Sequence, residues 1–179
     1  MAPRRIEFSA DLLSRLQRRD PEAYAEVFRV GGADLLDYAA TLSGSLEAGQ
    51  DVVQDVLYRV WSQGEDFKPR GTLAAYLFAA VRNASIDVLR RDRQVARYQA
   101  RAVHEHHDTY EHDAADERLA AIEPLLATLS EHQRTALRMR FGRGLSVAEV
   151  AQVLEISPEG AKKLLARTVA AIRARLASD

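Results

Sequence analysis

The stretch "EVAQVLEISPEGAKKLLAR", residues 149–167, has the pattern of two helices joined by a tight connection. Its first part continues an apolar pattern of helical period that begins at Val147, and a short connection at residues 155–157 follows. Ser157 and Pro158 then provide an N-cap and a first-turn proline for a second helix. Two short helices joined in this way predict a helix-turn-helix. The alternative is a two-helix hairpin inside an ordinary bundle.

The second helix of this motif is predicted to have one apolar and one charged face. The apolar face consists of Ala161, Leu164, Leu165, Thr168, Ile172 and Leu176. When a helix-turn-helix binds DNA, the N-terminal residues of its second helix approach base edges in the major groove, and nearby cations neutralise phosphates. The residues predicted to contact DNA are Ser157, Glu159, Lys162, Lys163 and Arg167.

The composition bounds the class of protein. With 47% hydrophobic residues the chain can bury a core, and without cysteine it can form neither disulfides nor thiolate metal sites. The first thirty residues contain no apolar stretch typical of a signal peptide. No apolar run approaches the roughly 20 residues of a membrane span. We therefore expect a cytoplasmic protein that does not insert into the membrane.

Helical patterns dominate the chain, and no alternating run between hairpin turns predicts a strand. The predicted fold class is all-α. Residues 93–118 are rich in charge and poor in aliphatic side chains, so they cannot bury enough surface to offset their ordering entropy. The predicted domains are two small helical modules, residues 8–92 and 119–179, joined by a flexible linker, 93–118. Helix starts are predicted at residues 9–11, 20–21, 49–51, 72, 130, 146 and 157–158.

The net charge of −1 conceals an uneven distribution. Residues 1–92 carry a net charge of −2, residues 93–103 carry +3, residues 104–130 carry −6 and residues 131–179 carry +4. A basic C-terminal module, an acidic connector and a nearly neutral N-terminal module suggest different partners for different parts of the chain.

Residues 51–61, "DVVQDVLYRVW", predict an amphipathic helix. Its apolar stripe consists of Val53, Val56, Leu57, Val60 and Trp61. The opposite side is a solvated face by default, and the functional alternative is a polar surface on which a protein partner docks. The residues of that surface are Asp51, Gln54, Asp55, Tyr58 and Arg59.

A basic strip is predicted along the helix of residues 71–91. Arginine and asparagine bond phosphates and base edges well. The strip consists of Arg82, Asn83, Ile86 and Arg90 and is continued by Arg91, Arg93 and Arg97. The preceding loop offers Phe67, Lys68 and Arg70, a ring and two cations that can hold an unstacked base. Phe67 is equally well explained as a core anchor, and Arg90 and Arg91 as a basic helix end favoured by the macrodipole.

Three of these segments, taken together, resemble the extracytoplasmic-function group of bacterial sigma factors, in the sigma-70 superfamily. "GQDVVQDVLYRVW", residues 49–61, is similar to the polymerase-binding helix of region 2, and "GTLAAYLFAAVRNASIDVLRR", residues 71–91, to the helix that opens and reads the −10 element. "LSEHQRTALRMRFGRGLSVAEVAQVLEISPEGAKKLLARTVAAIRARL", residues 129–176, resembles the region 4 module that reads the −35 element. The resemblance covers almost the whole chain except the linker.

The resemblance implies a factor without catalytic residues or cofactors that brings core RNA polymerase to promoter DNA. The residues implied to bind polymerase are Asp51, Gln54, Asp55 and Tyr58, on clamp helices of its largest subunit. Those implied to contact the −10 element are Phe67, Lys68, Arg70, Arg82, Asn83, Asp87, Arg90 and Arg91, with the loop 67–71 capturing a flipped base. The acidic linker would thread a polymerase channel, and an anti-sigma protein is an implied further partner.

The chain departs from the family in the second helix of the helix-turn-helix. Where the family usually has Thr-Val-Lys-Ser-Arg, this chain has Gly-Ala-Lys-Lys-Leu at residues 160–164. A branched polar residue and an arginine are therefore missing, and the family's preference for an upstream sequence does not transfer to this chain.

Two other classes of protein compete with this interpretation. The segment "HEHHDTYEH", residues 104–112, has a histidine density that can bind zinc, but its spacing matches no catalytic arrangement such as His-Glu-x-x-His. We therefore expect no enzyme and no dedicated metal site. The second competitor is a dimeric helix-turn-helix regulator that binds an operator by itself. Such a regulator gives no reason for a basic strip joined to an acidic docking helix.

Overall fold

The computed structural model describes residues 5–99 and 128–177, apart from the side chains of residues 92–99. Within these ranges the chain is helical and has no strand, which confirms the predicted fold class. The helices form two compact units. The N-terminal unit falls within Glu7–Glu111, and the C-terminal unit falls within His112–Asp179 together with Met1–Ile6.

The N-terminal unit contains five α-helices within its described residues. They are α1 (Leu12–Gln17), α2 (Pro21–Val27), α3 (Ala33–Ser43), α4 (Leu46–Gln63) and α5 (Leu73–Gln99), with a π-helical turn at Phe28–Gly32 and a 3₁₀ turn at Gly64–Asp66. The helix predicted to begin at Thr72 continues to Gln99, into the segment predicted as linker. No helix start was predicted for α3, which directly continues the π-helical turn.

The core of the N-terminal unit lies between α3, α4 and α5. Tyr38 of α3 and Phe78 of α5 are fully buried and meet edge to face, with ring centroids 5.8 Å apart. Helices α3 and α4 approach most closely at Gly49, where a Cβ atom would lie 2.7 Å from the backbone nitrogen of Ala40. Only a residue without a side chain fits at this crossing.

Helix α4 begins before the position predicted from sequence. Ser45 is its N-cap, and its side chain accepts a hydrogen bond from the Ala48 amide at 3.1 Å. The predicted start at residues 49–51 is therefore wrong. Gly49 had suggested a helix boundary, but its place in the helix is explained by the tight packing against Ala40.

An ion-pair network joins α1 to α2. Arg15 donates from Nε to Asp20 Oδ2 at 2.8 Å and from Nη1 to Glu26 Oε2 at 2.9 Å. The Ser9 hydroxyl and amide both donate to Glu26 Oε1 and, with Arg15, hold the pKa of that carboxyl below its ordinary value. Arg15, assisted by the Glu22 amide, likewise lowers the pKa of Asp20. These bonds fix the short first helix, which is too short to be stable by itself.

The C-terminal unit contains three α-helices within its described residues, α6 (Glu131–Leu137), α7 (Val147–Leu154) and α8 (Pro158–Leu176), with a π-helical turn at Arg138–Gly142. The helix starts predicted at Ser130, Ser146 and Ser157 are confirmed, because each serine caps its helix. Ser130 and Ser146 form capping boxes with the glutamine and glutamate three residues later.

Helices α7 and α8 form the predicted helix-turn-helix. Val150 and Leu154 of α7 and Ala161 and Leu165 of α8 are buried between the helices. The turn is made at Glu155, which adopts the left-handed conformation with φ of 56°. Leu176, which the sequence places on the apolar face, is the last residue of α8 and is 54% exposed, so the buried part of that face ends before it.

Candidate nucleic-acid and protein interfaces

Helix α4 separates a buried face from an exposed polar face. Val53, Val56, Leu57 and Val60 are buried, as predicted from the apolar stripe, and Val52 joins them. The residues of the opposite face are all exposed: Asp51, Gln54, Asp55, Tyr58 and Arg59. We call this set the α4 face. Tyr58 is 70% exposed, an unusual position for a large ring in a folded unit.

The loop between α4 and α5 is held from inside by Phe67. This ring is only 1% exposed and packs edge to face on Tyr76, with centroids 5.1 Å apart. Of the two interpretations of Phe67, the core anchor therefore holds, and its ring is not available for stacking on a base in this structure. Lys68 and Arg70 are exposed on either side of Pro69.

Two residues of the first helix region position this loop. Gln17 donates from Nε2 to the Phe67 carbonyl at 2.8 Å. Arg19 donates from Nε to the Trp61 carbonyl and from Nη2 to the Ser62 carbonyl, both at 3.1 Å. Neither residue was predicted from the sequence, because the partners lie 42 to 50 residues further along the chain and no local pattern signals the contacts.

Helix α5 carries a shorter exposed strip than predicted. Arg82 is only 6% exposed, because it shares a helical stripe with the buried Phe78 and Ser85, four residues before it and three after it. The expectation of an exposed Arg82 is therefore wrong. Asn83 is half-buried. Of the α5 residues implied to contact the −10 element, Asp87, Arg90 and Arg91 are exposed. Asp87 Oδ1 lies 3.6 Å from Arg90 Nη1.

Helix α8 presents the predicted charged residues to solvent. Glu159, Lys162, Lys163 and Arg167 are all exposed, and Glu159 Oε1 lies 3.8 Å from Lys163 Nζ. Ser157 is exposed as well, but its hydroxyl accepts a hydrogen bond from the Gly160 amide at 3.0 Å. Its first role is therefore to cap the helix.

In the described part of the chain, no cluster of three or more His, Asp or Glu side chains could hold a metal ion. The histidine segment, residues 104–112, lies outside the described residues. Among the helices of residues 5–99 and 128–177, none has the length and hydropathy needed to cross a bilayer.

A helix-turn-helix with exposed cations, combined with a second helical unit that has an exposed polar face, is typical of a DNA-binding transcription protein. The family model for sigma-70 region 2 matches residues 28–95, and that for sigma-70 region 4 matches residues 125–174. The ECF RNA polymerase sigma factor SigL of Mycobacterium tuberculosis is 33% identical over 151 residues, which cover 80% of this chain and 83% of SigL. RpoE of Cereibacter sphaeroides, also an ECF sigma factor, is 27% identical over 152 residues, 82% of either chain.

Two solved structures have a similar fold. CnrH, in complex with the cytosolic domain of CnrY, superposes with a TM-score of 0.65 at 24% identity and covers 94% of this chain and 96% of its own. The sigma factor RpoE of Bartonella quintana, in complex with the anti-sigma factor NepR, gives 0.68 at 21% identity, covering 88% and 99%.

This chain belongs to the extracytoplasmic-function group of the sigma-70 family. It is therefore a promoter-directing RNA polymerase sigma factor and not an enzyme. An operator-binding regulator that acts without polymerase is not favoured, because neither sigma region would then be accounted for.

Proposed function

We propose that the α4 face binds core RNA polymerase. The observation that carries this proposal is a helix whose buried side belongs to the core while its opposite side is uniformly exposed and polar. Side chains that neither pack nor cap are available to a partner. Asp51, Gln54 and Asp55 supply acceptors, and the ring of Tyr58 supplies the apolar contact area typical of an interface centre.

The −10 element is contacted, in this proposal, by the loop after α4 and the exposed side of α5. Lys68 and Arg70 would hold a flipped base and its phosphates, and Asn83 and Arg90 would contact the melting strand. Phe67 and Arg82 act from inside the unit. They fix the loop and the helix rather than touch DNA in the conformation seen.

The −35 element is read by α8 in the major groove. Four exposed polar residues, Glu159, Lys162, Lys163 and Arg167, occupy the first three turns of this helix. That is the part of a recognition helix that reaches base edges. Ser157 and Pro158 set the residue at which the helix starts. They therefore determine which of its turns carry these residues into the groove.

The remaining partners are proposed from the family. Because CnrH and the Bartonella RpoE were each solved in complex with another protein, and NepR is an anti-sigma factor, an anti-sigma protein is proposed for this chain too. A sigma factor works where polymerase and promoter DNA are, so the cytoplasm is its proposed location. The acidic segment, residues 104–130, is proposed to thread a channel of polymerase.

The proposed division of labour is tested with pure protein, core RNA polymerase and a labelled promoter duplex. The chain alone is expected to leave the duplex unbound, and addition of core polymerase is expected to yield a complex and a transcript of fixed start. A shift of the duplex by the chain alone at physiological salt, unchanged by polymerase, would instead identify a free-standing regulator.

A further inference from the structure

The exposed surface of α8 has an ordered arrangement of charge. At about 100° per residue, Glu159 and Lys163 lie near the middle of the face opposite the buried Ala161, Leu165 and Thr168. Lys162 and Arg167 lie roughly 60–80° to either side. When such a helix lies in the groove, the central pair faces the base edges, while the flanking cations face the two phosphate backbones.

The central pair combines one acceptor with one donor. Glu159 Oε1 and Lys163 Nζ lie 3.8 Å apart, and their side chains are 65% and 66% exposed. An exposed ion pair of this kind is weak, so a competing polar surface can replace it. Ala166, on the next turn, is also exposed and has no long side chain that would keep the pair away from the groove floor.

The major-groove edge of a C·G base pair has the complementary arrangement. Cytosine presents the N4 amino group, a donor, directly beside guanine O6 and N7, both acceptors. The N4 and O6 atoms are hydrogen-bonded to each other and so lie about 3 Å apart. A glutamate accepts from cytosine N4, and a lysine donates to guanine O6 and N7. In an A·T pair, the adenine N6 donor is followed on the thymine side by a single acceptor, O4, and then by the thymine methyl group, which cannot bond a lysine.

We propose that Glu159 and Lys163 together read one C·G base pair of the upstream promoter element, with Glu159 on the cytosine and Lys163 on the guanine. This inference rests on the proposed reading of the −35 element by α8. It revises the sequence-based expectation that Lys163 neutralises a phosphate and leaves that role to Lys162 and Arg167. Because residues 160–164 differ from the family's usual sequence, the family's base preference does not apply to this chain, and the proposed pair provides a different one.

The test is selection of promoter duplexes by reconstituted holoenzyme from a library randomised over the upstream element. Wild-type holoenzyme is expected to enrich C·G at one position by about tenfold or more over other pairs. E159Q and K163Q are each expected to lose that preference at this position alone. The double variant E159K/K163E keeps the net charge and is expected to prefer the reversed pair, G·C, at the same position.

The matched control is K162Q, which removes a neighbouring exposed cation. It is expected to weaken binding to all sequences alike and to leave the enriched sequence unchanged. The base-pair assignment is overturned if wild type enriches an upstream sequence that E159Q, K163Q and the double variant all retain. If wild-type holoenzyme initiates transcription but enriches no upstream sequence, the proposed reading of the −35 element fails first, and the assignment fails with it.

Discussion

Single residues join α1 to α2 at the start of the N-terminal unit. Arg15 bonds two carboxylates, and its side chain is 22% exposed, while that of Glu26 is 13% exposed. A carboxyl group whose pKa is lowered in the folded state stabilises that state above its ordinary pKa and loses the contribution as pH falls through the lowered value. Glu26 and Asp20 both have a lowered pKa, so the N-terminal unit contains an acid-sensitive contact.

We predict that E26Q reduces the acid sensitivity of the N-terminal unit. The variant is expected to be less stable than wild type at pH 7, because the charge-assisted bonds from Ser9 and Arg15 are lost. The difference should shrink as pH falls below the ordinary glutamate value of 4.5, where wild type loses the same contribution. Urea unfolding at pH 7, 5, 4 and 3 measures it. E22Q changes an exposed side chain that takes no part in the network and keeps the backbone amide that bonds Asp20, so it should track wild type throughout.

The residue scale also marks the limit of prediction from sequence. The apolar stripe of α4 was predictable, because period and burial agree at Val53, Val56 and Val60. Phe67 and Arg82 were not, since residue type alone cannot tell an exposed ring or guanidinium from one that faces the core. Which side of α5 is covered depends on its packing against α3, a contact between segments about forty residues apart.

At the scale of elements, α3 and α4 are in tight contact at Gly49, where a Cβ atom would collide with the backbone of Ala40. We predict that G49A destabilises this unit by about 3 kcal/mol, because the added Cβ would lie 2.7 Å from backbone that cannot rotate away. Urea unfolding measures the change. Q50A, at the neighbouring exposed position, is the control and should change stability by less than about 0.5 kcal/mol. A G49A variant as stable as wild type would mean that α3 and α4 are further apart than described.

The α4 face, the proposed binding surface for polymerase, is exposed and lies outside the core. We predict that the double variant Q54A/D55A weakens the binding of core polymerase about tenfold or more and leaves the unfolding midpoint unchanged, because both side chains are exposed. Competition with wild type for core polymerase measures the affinity. Q63A/E65A removes one amide and one carboxylate from exposed positions past the far end of the face, and it should compete as wild type does.

In the proposed DNA interface, Lys162 near the start of α8 contacts a phosphate and the C-terminal turn of the helix does not. We predict that K162Q flattens the dependence of log affinity on log salt by about one unit, the value for one lost phosphate contact. Holoenzyme binding to a promoter duplex between 50 and 200 mM salt is the measurement. R173Q removes an equal charge about 16 Å further along the helix and should keep the wild-type slope. If K162Q and R173Q had the same dependence of log affinity on log salt, Lys162 would not contact a phosphate and the DNA would lie on another part of α8.

Over the whole molecule, the two compact units have separate cores. We predict that V150A, which removes two methyl groups from a fully buried site in the helix-turn-helix, costs about 2 kcal/mol in the C-terminal unit alone. Hydrogen exchange read by peptide is expected to show faster opening of α6 to α8 and unchanged protection of α3 to α5. Parallel loss of protection in both units would show that they unfold as one.

Much of this organisation could be predicted from composition and capping residues, and part of it could not. Three helix starts could be predicted from their capping serines, Ser130, Ser146 and Ser157. An N-cap bonds amides within the next three residues, so its signal is local and visible in the sequence. Helix α3 gave no such signal, since it follows a π-helical turn that contains Gly31 and Gly32 instead of a capping residue. Helices that begin inside a continuous helical run leave no boundary in the sequence.

The bonds from Gln17 and Arg19 have a mechanical consequence. Arg19 holds the last carbonyls of α4, and Gln17 holds the carbonyl of Phe67 where the following loop begins. These bonds tie the last turn of α4, the helix that carries the proposed polymerase-binding face, to the start of the loop that carries Lys68 and Arg70. Under the proposed function, docking of α4 on polymerase would therefore also position Lys68 and Arg70 relative to the DNA strand that opens.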